Sequence, residues 1–372
     1  MVIREEKMRV LFLTNVPSPY RVEFFNQLGE FCELTVLYQK RRSSERDEKW
    51  IGKSRNTFKS IYLKGISTGV DQTISFNVLN YLNKDKYDYF VICGLASPTE
   101  MIALTWCKIK KIPYYFESDG GFVKSGKGIK EAIKRFNLLG AKKYFSTGTI
   151  HDNYYISYGV SRDKIFHYPF SSVVYEDILK KPISIEDKKI LRDRCGYSYP
   201  ILAITVGQFI YRKGMDILIK AWRNMPENCC LLIIGGKPIN DYIDIMKNNK
   251  NKNIRFIPFI EKDELSNYYR MSDFFVFPTR EDIWGLVVNE ALSFGLPVIS
   301  SNRAAAAVEL VKDSLNGFLF ESENVEKLEE KLNNYIKLPA EDKYSMACNA
   351  LNTAHEYTIE KMVSRHLELF KS

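Results

Sequence analysis

The chain has 372 residues, 45% of them hydrophobic and 27% charged, with 13 prolines; this is the composition of an ordered globular protein too long for one core, and it excludes a disordered or fibrous chain. No apolar run reaches bilayer-spanning length, and Arg4, Glu5, Glu6 and Lys7 precede only a short apolar stretch rather than a signal-like segment, so a cytoplasmic protein is expected. The net charge of +9 is uneven: residues 1–170 hold 27 Lys and Arg against 17 Asp and Glu, residues 171–372 hold 27 against 28, and the excess points to a localised anionic partner.

Residues 8–15, MRVLFLTN, read as a buried first strand. They run into VPSPYR, where Pro17 and Pro19 predict an extended turn before a helix at 22–28. No GxGxxG follows this strand, so a nicotinamide-dependent oxidoreductase loses its main support. Further strands are expected at 33–38, 89–93 and 112–116, with a helix at 101–110. The last of these strands runs into ESDGG. Asp119 there is either a turn aspartate before two glycines or a carboxylate facing a ligand crevice at a strand's carboxyl end.

The next stretch is basic. Lys127, Lys130, Lys134 and Arg135 lie among Ile129, Ala132, Ile133, Phe136 and Leu139, and Glu131 is the one acid. A surface helix with solvated lysines has this pattern, and so does a helix lying on an anionic membrane. Its large share of the positive excess favours the membrane. No nucleic-acid motif accompanies the charge, so no nucleic-acid partner is expected. Strands at 143–146 and 164–168 close this half.

A polar segment at 175–199, with a helix near 185–194, reads as a link. PILAITV at 200–206 then repeats the pattern of the first strand and runs into GQFIYRKG and a helix at 215–223. Gly207 and Gly214 free the backbone, while Arg212 and Lys213 stand at a helix entry where charge and dipole both attract an anion; a plain basic turn is the other reading. Strands at 229–234 and 254–257 and a helix at 262–271 lead to the most informative stretch, FFVFPTREDIWGLVVNEALSFGLPVIS at 274–300. It reads as strand, charged loop, helix, strand, with Gly285 admitting close backbone approach. Asp282 and Glu290 would repel a phosphate unless they face something else, and ribose or sugar hydroxyls fit them; a solvated loop and a half-buried helix Glu are the other reading. Seven cysteines and four histidines show no metal-ligand spacing, so reduced core thiols and no metal site are expected.

GQFIYRKG, SDFFVFPTREDIWGLVVNEALSFGLPVIS and NGFLF at 316–320 together resemble the retaining glycosyltransferases of family 4, strongly across 200–320 and more weakly before it. The resemblance implies an α/β protein of GT-B fold, with two Rossmann-like doubly wound domains facing across a cleft. Residues 1–176 would bind the acceptor, 177–355 the nucleotide-sugar, and a C-terminal helix at about 356–372 would pack back on the first domain. Lys213 would contact the donor diphosphate, with Arg212 supplying the charge that Gln208 does not. Glu290 would bind the ribose, Asp282 or its neighbour Glu281 the donor sugar, and backbone N–H groups of Gly285 and Leu286 the diphosphate beside Gly207. Asp119 falls where the family has a histidine, and residues 17–21 replace a double glycine and would line the acceptor side through Pro19, Tyr20 and Arg21, with Arg21 meeting an acceptor phosphate.

The activity implied is a metal-independent hexosyl transfer, with retention, from a UDP-sugar to a lipid-linked glycan in surface polysaccharide synthesis. The absence of any DxD motif agrees with a cation rather than a metal at the diphosphate. Such a protein would sit peripherally on the anionic inner face of the cell membrane and need no cofactor. A nucleotide-sugar epimerase of the same fold and a non-catalytic partner subunit are the alternatives.

Overall fold

The computed structural model of the chain describes residues 7–43, 52–123, 126, 128–247, 249 and 253–372. They form two compact units, Met1–Ser172 with Thr358–Ser372, and Val173–Tyr357. The first unit contains β1 (Arg9–Thr14), β2 (Glu33–Tyr38), β3 (Lys59–Tyr62), β4 (Ile66–Gly69), β5 (Gln72–Ile74), β6 (Tyr89–Cys93), β7 (Tyr115–Glu117), β8 (Lys143–Ser146) and β9 (Ile165–His167). All but β4 and β5 join in one parallel sheet of order β3-β2-β1-β6-β7-β8-β9, and β4 and β5 make a separate antiparallel pair.

An unbroken apolar run suits a strand covered on both faces, and Val10 to Leu13 of β1 are 0% exposed. Leu11 and Leu13 pack with Ala103, Leu104 and Leu138 from the helices Pro98–Ile109 and Ile129–Leu138. Phe12 meets Phe24, Phe25 and Phe370 edge to face, from the helices Pro19–Phe31 and Ile359–Lys371. The first of these helices begins at Pro19, earlier than the sequence pattern suggests, because proline is well placed where a helix N–H has no partner. β7 begins later than the sequence pattern suggests; Pro113 has no N–H to give a ladder.

The second unit contains β10 (Ile201–Val206), β11 (Cys229–Ile234), β12 (Ile254–Ile257), β13 (Phe274–Phe277), β14 (Val298–Ser301) and β15 (Gly317–Phe320). They form one parallel sheet of order β12-β11-β10-β13-β14-β15. The strand order therefore reverses beside β1 in one unit and beside β10 in the other, and the crevice at the carboxyl ends of such a reversal is where doubly wound sheets take ligands. No described helix is long and apolar enough to cross a membrane. All seven cysteines are free; five are buried, while Cys195 is exposed and Cys348 lies between.

Candidate functional site

At the reversal in the second sheet, β10 and β13 end side by side and their loops interlock. Gly207 continues the ladder by donating its N–H to Ile234 O at 2.9 Å, and Gln208 leads into the short turn Tyr211–Lys213. Gly214 follows at φ +66°, where a Cβ would stand 2.1 Å from Pro278 O, so only glycine allows the loops this approach. Arg280 fastens them. Its N–H and the Thr279 hydroxyl both donate to Arg212 O at 2.8 and 2.9 Å. Its guanidinium grips both Asp216 oxygens at 2.9 and 2.8 Å and lies 3.8 Å over the Tyr211 ring.

This framework sets Lys213 Nζ 2.5 Å from Asp282 Oδ2, with Arg212 Nη1 at 3.6 Å from the same oxygen. Arg212 also donates to Glu281 O at 2.8 Å, and the Glu281 carboxylate pairs with Arg303 at 3.0 Å. Beyond Asp282, Gly285 lies at φ +100°, where a Cβ would meet the Phe277 ring at 2.8 Å. It opens the helix Leu286–Ser293, whose N-terminus has no side-chain cap. A Cβ on Gly285 would stand 3.7 Å from Asp282 Cγ, so this uncapped start lies beside the carboxylate that both cations face, and free N–H groups there suit an anion. Glu290, within that helix, accepts from Tyr269 Oη at 3.2 Å. Thus four residues singled out from the sequence, Arg212, Lys213, Glu281 and Asp282, come together, while Glu290 is engaged by a neighbouring helix.

In the first unit, Asp119 follows β7 and accepts from Tyr20 Oη at 2.8 Å. Arg21 holds Asp119 with one Nη and Glu117 with the other. The expectation that Arg21 meets an acceptor phosphate does not fit this geometry: its side chain is buried and both Nη groups are committed. The reason is Glu117, fully buried, which needs a fixed counter-charge. Glu117 also accepts from Tyr168 Oη at 3.3 Å and faces His366 Nε2 at 3.1 Å. Burial opposes its charge, but Arg21 and His366 outweigh burial and hold its carboxyl down at about 2. Burial, with Asp119 alongside, pushes the Tyr20 hydroxyl up. Pro19 is spent on starting the helix.

Two buried groups here escaped the sequence analysis. His151 accepts the Thr147 N–H on Nδ1 at 3.2 Å and so donates from Nε2 to Ser118 Oγ at 2.8 Å; burial lowers its pKa to about 3. Glu100 accepts from Gln39 Nε2 and the N–H groups of Ala96 and Ser97 at 2.8, 2.7 and 2.9 Å, and burial raises its pKa to about 7. Glu100 was findable: Ser97-Pro-Thr-Glu100 is a capping-box spacing. His151 carries no such local signal.

Lys127 lies outside the described residues. The helix Ile129–Leu138 that follows it leaves Ile129, Ile133 and Phe136 81, 46 and 59% exposed, and buries Asn137 and Leu138. Lys130 and Arg135 are exposed beside this apolar row. Lys134 is drawn to Glu131 at 3.2 Å, whose other oxygen accepts from Tyr158 Oη at 2.5 Å. Among the described residues no group of three or more His, Cys, Asp or Glu is placed to hold a metal ion.

Residues 190–352, within the second unit, match the family model described as glycosyl transferases group 1. An uncharacterized glycosyltransferase of Haemophilus influenzae is 28% identical over 165 residues, 43% of this chain and 46% of that protein. An uncharacterized 41.2 kDa protein in the cps region of Klebsiella pneumoniae is 25% identical over 215 residues, 58% of this chain and 57% of that one. The chain spans about half the length of these curated relatives. Among solved structures, Anabaena HepE in complex with UDP and glucose superposes with a TM-score of 0.72, covering 98% of this chain and 99% of that one at 16% identity, a likeness of fold alone.

Proposed function

We propose that this chain, whose second unit carries a group 1 glycosyltransferase domain on a GT-B fold, transfers a hexosyl unit from a UDP-sugar to a lipid-linked glycan, with retention and without a metal. The observation that carries the proposal is the meeting of Lys213, Arg212 and Asp282 with the uncapped helix start at Gly285, at the reversal of the second sheet.

In this reading Lys213 and Arg212 hold the donor diphosphate together with the N–H groups of Gly285 and Leu286, and Gly207 leaves room beside them. Glu290 takes the ribose hydroxyls, and Asp282 and Glu281 the sugar. As the bond from the anomeric carbon to the diphosphate oxygen breaks, negative charge grows on the leaving oxygen. A cation already in place stabilises that charge, which is the largest help a protein can offer such a step. The acceptor hydroxyl attacks from the same face, its proton passes to the leaving phosphate, and configuration is kept.

The first unit takes the acceptor, with Asp119 and Tyr20 as its polar contacts. UDP is favoured by the likeness to HepE, solved with UDP and glucose. A polysaccharide acceptor is favoured by the relative in the cps region. The apolar row Ile129, Ile133 and Phe136, flanked by Lys130 and Arg135, suits the anionic inner face of the membrane, where a lipid-linked acceptor would lie.

The test is nucleotide release from UDP-, GDP- and ADP-sugars by the purified protein, with and without membrane extract, in EDTA. Release of one nucleotide that rises with extract and survives EDTA is expected. Interconversion of the sugar without extract would indicate an epimerase instead, and neither release nor binding would leave a non-catalytic partner subunit.

A further inference from the structure

We propose that Asp282 is a built-in rival of the phosphate, a fixed counter-ion that weakens the hold on a nucleoside diphosphate and so favours the intact donor over the product. The inference rests on the nucleotide-sugar reading and concerns the same site. One oxygen, Oδ2, serves both cations, lying 2.5 Å from Lys213 Nζ and 3.6 Å from Arg212 Nη1. The pair is largely out of solvent, with Asp282 7% exposed, so its electrostatics are little screened. Glu281 does not share the task, since Arg303 holds it.

The main chain that carries the carboxylate is also anchored. The Asp282 N–H donates to Arg303 O at 2.9 Å, and its carbonyl accepts from Ala305 N–H at 3.1 Å, so the backbone is held on both sides. A diphosphate drawn to Lys213 therefore settles beside a carboxylate whose main chain is anchored there. The two possible occupants differ in what they offer that charge. A nucleotide-sugar brings hydroxyl groups that donate to the carboxylate as Lys213 turns to the phosphate. A nucleoside diphosphate has lost the sugar and keeps only its ribose hydroxyls, which in this reading go to Glu290, so it leaves Asp282 unpaired beside its oxygens, which is costly for a buried charge. Asp282 thus acts on specificity and on product release as well as on the sugar.

Asp282→Asn keeps the shape and removes the negative charge that faces Lys213 and Arg212. A like charge within a few ångströms shifts an ionic equilibrium by about tenfold or more, so the variant should bind the nucleoside diphosphate about tenfold tighter and gain much less for the matching nucleotide-sugar, while turnover falls. UDP, GDP and ADP, and then the UDP-, GDP- or ADP-glucose matching the tightest, are titrated calorimetrically against the wild type, Asp282→Asn and Lys213→Met. Asp282→Ser stands in if the amide variant does not fold, and circular dichroism verifies folding. Tighter diphosphate binding by the Asp282 variant, with weaker binding by Lys213→Met, supports the proposal. Diphosphate binding by the wild type that is unchanged or weakened in the variant overturns it and leaves the transferase reading intact. No binding by either protein removes both.

Discussion

A carboxylate taken fully out of water stays charged when a fixed positive charge faces it, and Glu117 has Arg21 for this, with His366 Nε2 as a further partner. Arg21→Met would leave that charge stranded and should cost about 3–5 kcal/mol of stability, read as a fall in the urea unfolding midpoint. Arg9→Met breaks an exposed pair with Asp88 and should cost no more than about 1 kcal/mol. The same site predicts a pH effect. The Glu117 pKa is depressed from the ordinary 4.5 to about 2, so its stabilisation is complete above about 4.5 and is lost as pH falls towards 2. Melting wild type and Glu117→Gln across that window should show the wild type losing its advantage; parallel curves would refute the assignment. The sequence pattern could mark Asp119, Lys213 and Asp282 because each sits beside a glycine-bearing turn. It could not show that Arg21 faces inward, for its partners lie 96 and 98 residues away, and nothing local distinguishes a buried arginine at a helix start from an exposed one.

Elements were legible where their faces are one-sided or wholly buried. β10 and β13 announce themselves as apolar runs, and the helix Leu286–Ser293 as a glycine followed by apolar residues at helical spacing. The helix Val325–Lys337 was also within reach, since Leu328, Leu332 and Tyr335 line one face behind an Asn324 cap. Thr149–Ser157 was not, for only His151 and Tyr155 are buried in a segment of mixed polar and aromatic residues. The helix Ile129–Leu138 shows the opposite case: its apolar row was visible, but the pattern alone does not say whether that row faces a core or solvent. Because Ile129 and Phe136 are 81 and 59% exposed, replacing both with serine should leave stability within about 0.5 kcal/mol. Binding to anionic vesicles should fall about tenfold, as lost apolar burial at the interface implies. Sedimentation with anionic and uncharged vesicles measures this, and unchanged binding would move the membrane contact elsewhere. Gly214→Ala acts at another element boundary. A Cβ 2.1 Å from Pro278 O, at φ +66°, forces apart the two loops that carry Lys213 and Asp282, so nucleotide-dependent turnover should drop by about 10² even if the protein still folds, since misplacing a reacting group by about an ångström costs that much.

At the scale of the whole molecule, the chain builds its first unit, leaves it for the second, and returns to finish the first with its last helix. That helix, Ile359–Lys371, buries Ile359, Met362, Val363, His366, Leu369 and Phe370. Phe370 joins the ring cluster around Phe12, and His366 Nε2 lies 3.1 Å from the Glu117 carboxylate. At about 1.5–3 kcal/mol for each buried Ile, Leu, Met, Val or Phe side chain, five of them contribute on the order of 10 kcal/mol, comparable to the whole stability of a domain. The second unit has a sheet and a core of its own: β10 to β15 and the cluster around Trp222 and Phe274 lie within Val173–Tyr357. A chain ending at Tyr357 should therefore lose the first unit and keep the second. Hydrogen–deuterium exchange on that truncated chain should show rapid exchange throughout the β1 and β6 peptides and continued protection of β10 and β13. Equal protection of both sheets would mean that the first unit is held by its own strands and the final helix is an accessory. Loss of both would mean that the second sheet depends on the first for its stability, despite a core of its own.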